Sequence, residues 1–102
     1  MDKEQVSQIA VSYAIEVLKH LKPYKIILYG SYAYGSPRED SDIDIAVVFN
    51  GFKGDLLEVS SLLWRLRRPI NILIEPILLD TKDDYLIFNE EVLKKGIVIY
   101  QQ

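Results

Sequence analysis

The hydrophobic pattern of this chain switches between the helical period and the strand period. Apolar residues recur every three or four positions in some segments, which is typical of amphipathic helices. Short, nearly continuous apolar runs in other segments indicate buried strands. The predicted helices are residues 3–21, 56–66 and 83–95. The predicted strands are residues 25–29, 43–49, 70–79 and 97–100.

The order of these elements predicts an α+β fold, an α/β two-layer arrangement with helices packed on a small mixed sheet. The strand over 43–49 is apolar on both faces after its first charge, which favours an interior position. The helix over 56–66 has the length of a crossover between parallel strands. Pro76 indicates a bulge or a sheet edge near its position. No repeat or linker interrupts the sequence, so we expect a single domain over residues 1–102.

Composition narrows the function classes. Of 102 residues, 49% are hydrophobic and 26% are charged, the balance of a soluble globular protein. The net charge of −3 gives no general attraction to nucleic acid, so we expect no sequence-specific nucleic-acid binding. We expect no membrane partner, because no apolar run reaches a membrane-spanning length. The polar residues 1–5 do not resemble a secretory signal, and the lack of cysteine fits a cytoplasmic location.

Two short motifs carry the candidate chemistry. Asp42 and Asp44 stand two residues apart at the start of a strand, which places both carboxylates on one face with Cα atoms about 6.6 Å apart. Carboxylate oxygens suit Mg²⁺, which shares its coordination with water and phosphate oxygens. Gly30 and Ser31 end the preceding strand, where backbone N–H groups and the Ser31 hydroxyl favour an anionic oxygen. Together the motifs predict a site for a nucleoside triphosphate and its metal.

Either motif alone would carry little weight. Gly-Ser is a common turn, and an Asp-x-Asp sequence in a loop is usually solvated. The combination of strand, Gly-Ser, ten intervening residues, Asp-x-Asp and a second apolar strand is much more specific. We therefore interpret Gly30, Ser31, Asp42 and Asp44 as parts of one site.

At these residues the chain resembles the minimal nucleotidyltransferase family of the DNA polymerase beta-like superfamily, whose hallmark is Gly-Ser, a spacer and Asp-x-Asp. The resemblance extends to the order and length of the elements over nearly the whole chain. It implies a nucleotidyltransferase fold, two Mg²⁺ ions and transfer of a nucleoside monophosphate, AMP if the substrate is ATP, to a hydroxyl. It also implies a partner, because small stand-alone members are typically antitoxins beside a HEPN-domain ribonuclease toxin, and some adenylylate a tyrosine of that toxin.

The superfamily uses a third carboxylate on a later strand, for which this chain offers Asn71 or Glu75. If the strand over 70–79 begins at the site, Asn71 lies beside the two acids and Glu75 lies about 13 Å further along. This geometry selects Asn71, which can offer an oxygen to a metal but cannot accept a proton at neutral pH. The chain also has Tyr34 where family members tend to carry arginine.

Three functions follow from the sequence. The leading hypothesis is a Mg²⁺-dependent enzyme that transfers AMP from ATP to a hydroxyl on a HEPN-domain toxin. Asn71 and Tyr34 favour an alternative, a catalytically weak or inactive nucleotide-binding antitoxin that acts by binding and occlusion. Nucleotidylation of a small molecule is less favoured, because such enzymes usually need an added acceptor-binding lobe. The sequence leaves open the base, the acceptor and whether the chain forms a homo-oligomer.

Overall fold

The computed structural model describes residues 1–35, 37–38, 41–82 and 94–102. The side chain of Tyr34 also lies outside what is described. The predicted helix over 83–95 lies outside the described residues except for its last two, which are helical.

Three helices and four strands follow one another along the described chain. The helices are α1 (Lys3–Leu18), α2 (Ser31–Tyr34) and α3 (Leu56–Leu66). The strands are β1 (Lys25–Tyr29), β2 (Ile43–Phe49), β3 (Ile74–Asp80) and β4 (Ile97–Gln101). The predicted bounds of β1 and β2 are confirmed. The predicted start of β3 at residue 70 is wrong by four residues, and this shift changes the site.

The strands form one mixed sheet in the order β3-β2-β1-β4. β1 runs antiparallel to both β2 and β4, whereas β2 and β3 are parallel and joined through α3. The predicted interior position of β2 and the crossover role of α3 are therefore confirmed. Pro76 lies in β3, at an edge of this sheet, where a residue without a backbone N–H is tolerated.

Helices α1 and α3 bury their apolar sides against the same face of the sheet. The core on this face takes Val6, Ala10, Tyr13 and Val17 from α1 and Leu63 from α3. The buried hydroxyl of Tyr13 donates a 2.7 Å hydrogen bond to the Leu63 carbonyl oxygen, which ties the two helices together. The mixed sheet with helices packed on it confirms the predicted α+β fold class.

The opposite face of the sheet carries a smaller apolar cluster, formed by Ile27, Ala46, Val48 and Leu79. Alternate residues of a strand share a face, so Asp44 and Glu75 lie on this side of the sheet. The candidate chemistry is thus separated from the helical core by the sheet itself. Among the described residues, no helix has both the length and the hydropathy needed to span a membrane.

Candidate active site

Gly30 and Asp44 form the centre of the candidate site. β1 ends at Tyr29, whose register partner on β2 is Asp44, so the Gly30 corner begins directly beside this carboxylate. Gly30 has φ +76°, a conformation that residues with a Cβ rarely adopt. A Cβ on Gly30 would also overlap the Asp44 Oδ2 atom. The structure therefore requires glycine here for two independent reasons.

The loop that precedes Asp42 is tied to α2. Buried Tyr32 donates its hydroxyl to the Arg38 carbonyl oxygen at 3.1 Å. Arg38 in turn donates its backbone N–H to Ser41 Oγ at 2.7 Å, one residue before Asp42. The Arg38 side chain is exposed. These contacts place the start of the Asp-x-Asp motif against the same short helix that Gly30 and Ser31 begin.

Glu75 completes the set of carboxylates. In the parallel ladder of β2 and β3, Glu75 is the register partner of Asp44. The structure therefore brings together Gly30, Ser31, Asp42 and Asp44 with Glu75, not with Asn71. The geometric expectation that selected Asn71 is wrong, because β3 begins at Ile74.

Asn71 belongs to the turn that connects α3 to β3. Its N–H donates to the Arg67 carbonyl oxygen at 2.8 Å, as in a helix end. Its side-chain Oδ1 accepts the Leu73 N–H at 2.8 Å, which is an Asx turn. Leu73 then accepts the Ile43 N–H at 2.8 Å, which fixes the turn to the start of β2. Asn71 is a structural residue that sets where β3 begins.

The three carboxylates perturb one another. Burial raises the pKa of Asp44 to about 6, and the negative charges of Glu75 and Asp42 add to this effect. Desolvation, the charge of Asp42 and a hydrogen bond between the two carboxyl groups raise the pKa of Glu75, while Arg67 opposes the shift. Carboxylates that are held close together despite desolvation and mutual repulsion are typical of sites that bind a cation or transfer a proton.

The donor set fits Mg²⁺ bound together with phosphate. Asp42, Asp44 and Glu75 offer hard oxygen ligands, the type that Mg²⁺ prefers. In the described part of the chain, no three His, Cys, Asp or Glu side chains cluster closely enough to hold a metal on their own. Since Mg²⁺ usually keeps waters and substrate oxygens in its coordination shell, two carboxylates suffice as protein ligands.

Sequence reasoning assigned no role in the site to Arg67. The guanidinium lies 4.7 Å from the centre of the Trp64 ring and also donates to the Ile72 carbonyl oxygen. Its charge lowers the pKa of Glu75, so it lies within electrostatic reach of the site. The spacing of Trp64 and Arg67, one helical turn apart, was the available signal.

Comparisons with known proteins agree with this fold. Residues 13–102 match the family described as Polymerase beta, Nucleotidyltransferase. A candidate protein adenylyltransferase from Methanocaldococcus jannaschii is 38% identical over 77 residues, covering 74% of this chain and 77% of that protein. The crystal structure of a candidate nucleotidyltransferase from Sulfolobus solfataricus has the same fold, with a TM-score of 0.73 and 22% identity. That match covers 98% of this chain and 84% of the other.

The family match includes both sequence motifs and the strand that carries Glu75. It spans far more than half of the chain, and the archaeal relative is well above 30% identical. The chain belongs to the polymerase beta-like nucleotidyltransferase family.

Proposed function

We propose that this protein is a Mg²⁺-dependent nucleotidyltransferase that transfers AMP from ATP to a hydroxyl of a HEPN-domain toxin and thereby acts as its antitoxin. The observation that carries the proposal is the register of Glu75 with Asp44, which gives the site a third carboxylate. The alternative of an inactive binding protein depended on Asn71 at that position and on Tyr34 in place of arginine, and the register removes the first of these two arguments. With Glu75 beside Asp44, the catalytic hypothesis is the stronger one.

Each residue has a defined part in this reaction. Asp42 and Asp44 would hold Mg²⁺, which neutralises the triphosphate charge and polarises the α-phosphate when bound. Gly30 lets phosphate oxygens approach the backbone at the point where α2 begins. Ser31 adds a hydroxyl donor at the same corner. Glu75 accepts the proton of the acceptor hydroxyl, a task that its raised pKa favours.

The transfer balances without any further reactant. The acceptor oxygen forms a bond to the α-phosphorus, and the bond from that phosphorus to the bridging oxygen breaks. Pyrophosphate leaves with the electron pair, and the hydroxyl proton passes to a carboxylate. The product is an AMP ester on the acceptor.

Two observations support a protein acceptor and an adenylyl group. The archaeal relative is described as a candidate protein adenylyltransferase, which names both the group and the kind of acceptor for that protein. The resemblance to minimal nucleotidyltransferases adds the HEPN-domain toxin as the expected partner.

The decisive experiment uses ATP labelled at the α-phosphate, Mg²⁺ and the purified product of the neighbouring gene as the proposed HEPN-domain acceptor. We expect covalent label on that protein from α-labelled ATP and none from γ-labelled ATP. Asp44→Asn should abolish the labelling, and chelation of Mg²⁺ should do the same. Asp55→Asn is the matched control, because it makes the same change at the exposed cap of α3, where asparagine caps equally well.

Each competing function gives its own result. A stable complex with the HEPN-domain protein but no covalent label would establish the occlusion mechanism instead. Labelling of a small molecule such as an aminoglycoside in the absence of any protein would establish small-molecule nucleotidylation. Either result would overturn the proposal.

A further inference from the structure

A stripe of exposed side chains runs along the outer side of α3. Leu57, Ser61 and Trp64 follow one another at intervals of four and three residues, so they lie on one side of the helix, and Arg68 in the turn after it lines the same surface. Leu57 is 77% exposed and Trp64 is 42% exposed, although both are large apolar side chains. The stripe borders a shallow groove on the protein surface. Large apolar residues that are grouped and exposed in this way mark an interaction surface.

The same surface is basic, in contrast to the rest of the chain. Arg65, Arg67 and Arg68 lie at the end of α3, whereas the chain as a whole has a net charge of −3. Within the described residues, none of the three has a carboxylate within 4.0 Å of its side-chain nitrogens. Positive charge that no described carboxylate neutralises favours a partner that carries negative charge.

The C-terminal end of this surface lies at the end of the sheet where β3 begins, which is also the end that carries the candidate active site. Trp64 stacks with Arg67, and Arg67 donates to the carbonyl oxygen of Ile72. Ile72 is 72% exposed and precedes Glu75 by only three residues. Because α3 packs on the opposite face of the sheet from Glu75, an occupant of this surface would reach the site carboxylates around β3, the edge strand on which Glu75 is exposed.

We propose that Leu57, Trp64, Arg67, Arg68 and Ile72 form a docking surface for the acceptor protein, whose contacting segment is acidic and apolar. This inference rests on the proposed function, because it concerns the acceptor of the same transfer. Trp64 and Leu57 receive apolar side chains, and the arginines pair with carboxylates of the segment. The docked acceptor presents its hydroxyl toward Glu75.

The composition of the surface favours a protein over a nucleic acid. Leu57 and Ile72 are its most exposed apolar members, and aliphatic side chains make no favourable polar contact with a phosphate backbone. The neighbouring carboxylates of Asp42 and Glu75 repel a polyanion that continues toward the site. A protein segment can pair its acidic side chains with the arginines and place a neutral hydroxyl beside Asp42 and Glu75.

Trp64 makes the test direct, since it is the only tryptophan of the chain and lies within the proposed surface. The probe is a synthetic helical peptide with one glutamate-rich side and one leucine-rich side and no tryptophan. We expect saturable binding with a blue shift of the Trp64 fluorescence, and weaker binding at higher salt concentration. A peptide with lysine at every glutamate position should not bind.

Three variants assign the binding to the surface. Leu57→Ser and Arg68→Glu should each lower the affinity for the acidic peptide about tenfold while leaving Mg²⁺–ATP binding unchanged. Lys22→Glu is the matched control for charge, because exposed Lys22 precedes β1 at the end away from Gly30. It should change the affinity less than about twofold.

Several results would overturn the proposal. These are failure of the acidic peptide to bind, equal binding of the lysine peptide, preferential binding of a single-stranded oligonucleotide, or a Trp64 shift that depends only on protein concentration. The last result would indicate self-association. Peptide binding requires no catalysis, so it can succeed when the labelling experiment fails, and labelling can succeed when the peptide does not bind. The two proposals are therefore tested separately.

Discussion

Glu75 stands opposite Asp44 on two parallel strands that start at the same end of the sheet. β1 ends at this point and β2 and β3 begin there, so the Gly30 corner and the carboxylates come from three neighbouring strands. The ladder of backbone hydrogen bonds sets their spacing. The backbone positions of Asp44 and Glu75 are therefore as rigid as the sheet itself.

The register predicts that Glu75 is essential and that Asn71 is not. Glu75→Gln should lower the rate of AMP transfer about a hundredfold, because the amide cannot accept a proton and is a weaker metal ligand. Asn71→Ser should stay within about threefold of the parent rate, since serine can also accept the Leu73 N–H. Rates with a labelled acceptor, measured alongside thermal unfolding, check both. Equal losses in the two variants would contradict this assignment.

The approach of Gly30 to Asp44 predicts a substitution that damages both stability and binding. Gly30→Ala should lower the free energy of unfolding by about 1–3 kcal/mol, the cost of a strained backbone, and should displace Asp44. Gly51→Ala is the matched control, because Gly51 also has a positive φ of +89° but its Cβ would meet only the Lys82 side chain at 3.6 Å. Denaturant unfolding and Mg²⁺–ATP titration separate the effects. If Gly51→Ala also weakened nucleotide binding, backbone strain alone would explain the effect of both substitutions, and the contact of Gly30 with Asp44 would not be needed.

Asp80 predicts a loss of stability in acid. This buried carboxylate accepts hydrogen bonds from the backbone N–H groups of Lys82, Gly51 and Phe52, which hold its pKa below the usual value of 3.8. A lowered pKa in the folded state means that the contribution is present above pH 3.8 and disappears as the pH falls below it. Asp80→Asn should lower stability at neutral pH and flatten its fall in acid. Urea unfolding from pH 2 to 7 tests this, and parallel curves would contradict it.

The hydrogen bond between α1 and α3 predicts a measurable contribution to stability. Tyr13→Phe should cost about 1–2 kcal/mol, because it leaves the buried Leu63 carbonyl oxygen without its donor. Tyr24→Phe removes the same group from a half-buried tyrosine and should cost less than about 0.5 kcal/mol. Thermal unfolding of both variants measures the difference. Equal effects would mean that the hydroxyl contributes nothing specific.

Most of the fold could be predicted from the sequence because local patterns agreed with the final packing. The apolar run of β1 ends at Gly30, and the apolar run of β2 begins beside Asp44. The structure gives both strands the predicted bounds. The parallel pairing of β2 and β3 followed from the length of the helix between them. These signals are short-range, and they set the two main motifs of the site.

The third carboxylate could not be placed in the same way, because it depends on register. Ile70 and Asn71 continue the alternation of β3, so the pattern alone extends the strand to them. In the structure both donate their N–H groups to Arg67, which prolongs the end of α3 instead. Local hydrogen bonds of this kind compete with a strand ladder and are not visible in hydropathy. Because β3 begins four residues later than predicted, the residue beside Asp44 is Glu75 and not Asn71.

Pro76 limits strand pairing at the sheet edge beside the site. The β2–β3 ladder runs through Pro76 without a break, so the missing N–H falls on the outer margin of β3. A strand of another molecule that paired with this edge would lack one hydrogen-bond donor, which disfavours edge-to-edge association of sheets. Glu75, the residue just before Pro76, thus stays accessible at the sheet edge and is not covered by a strand of another molecule.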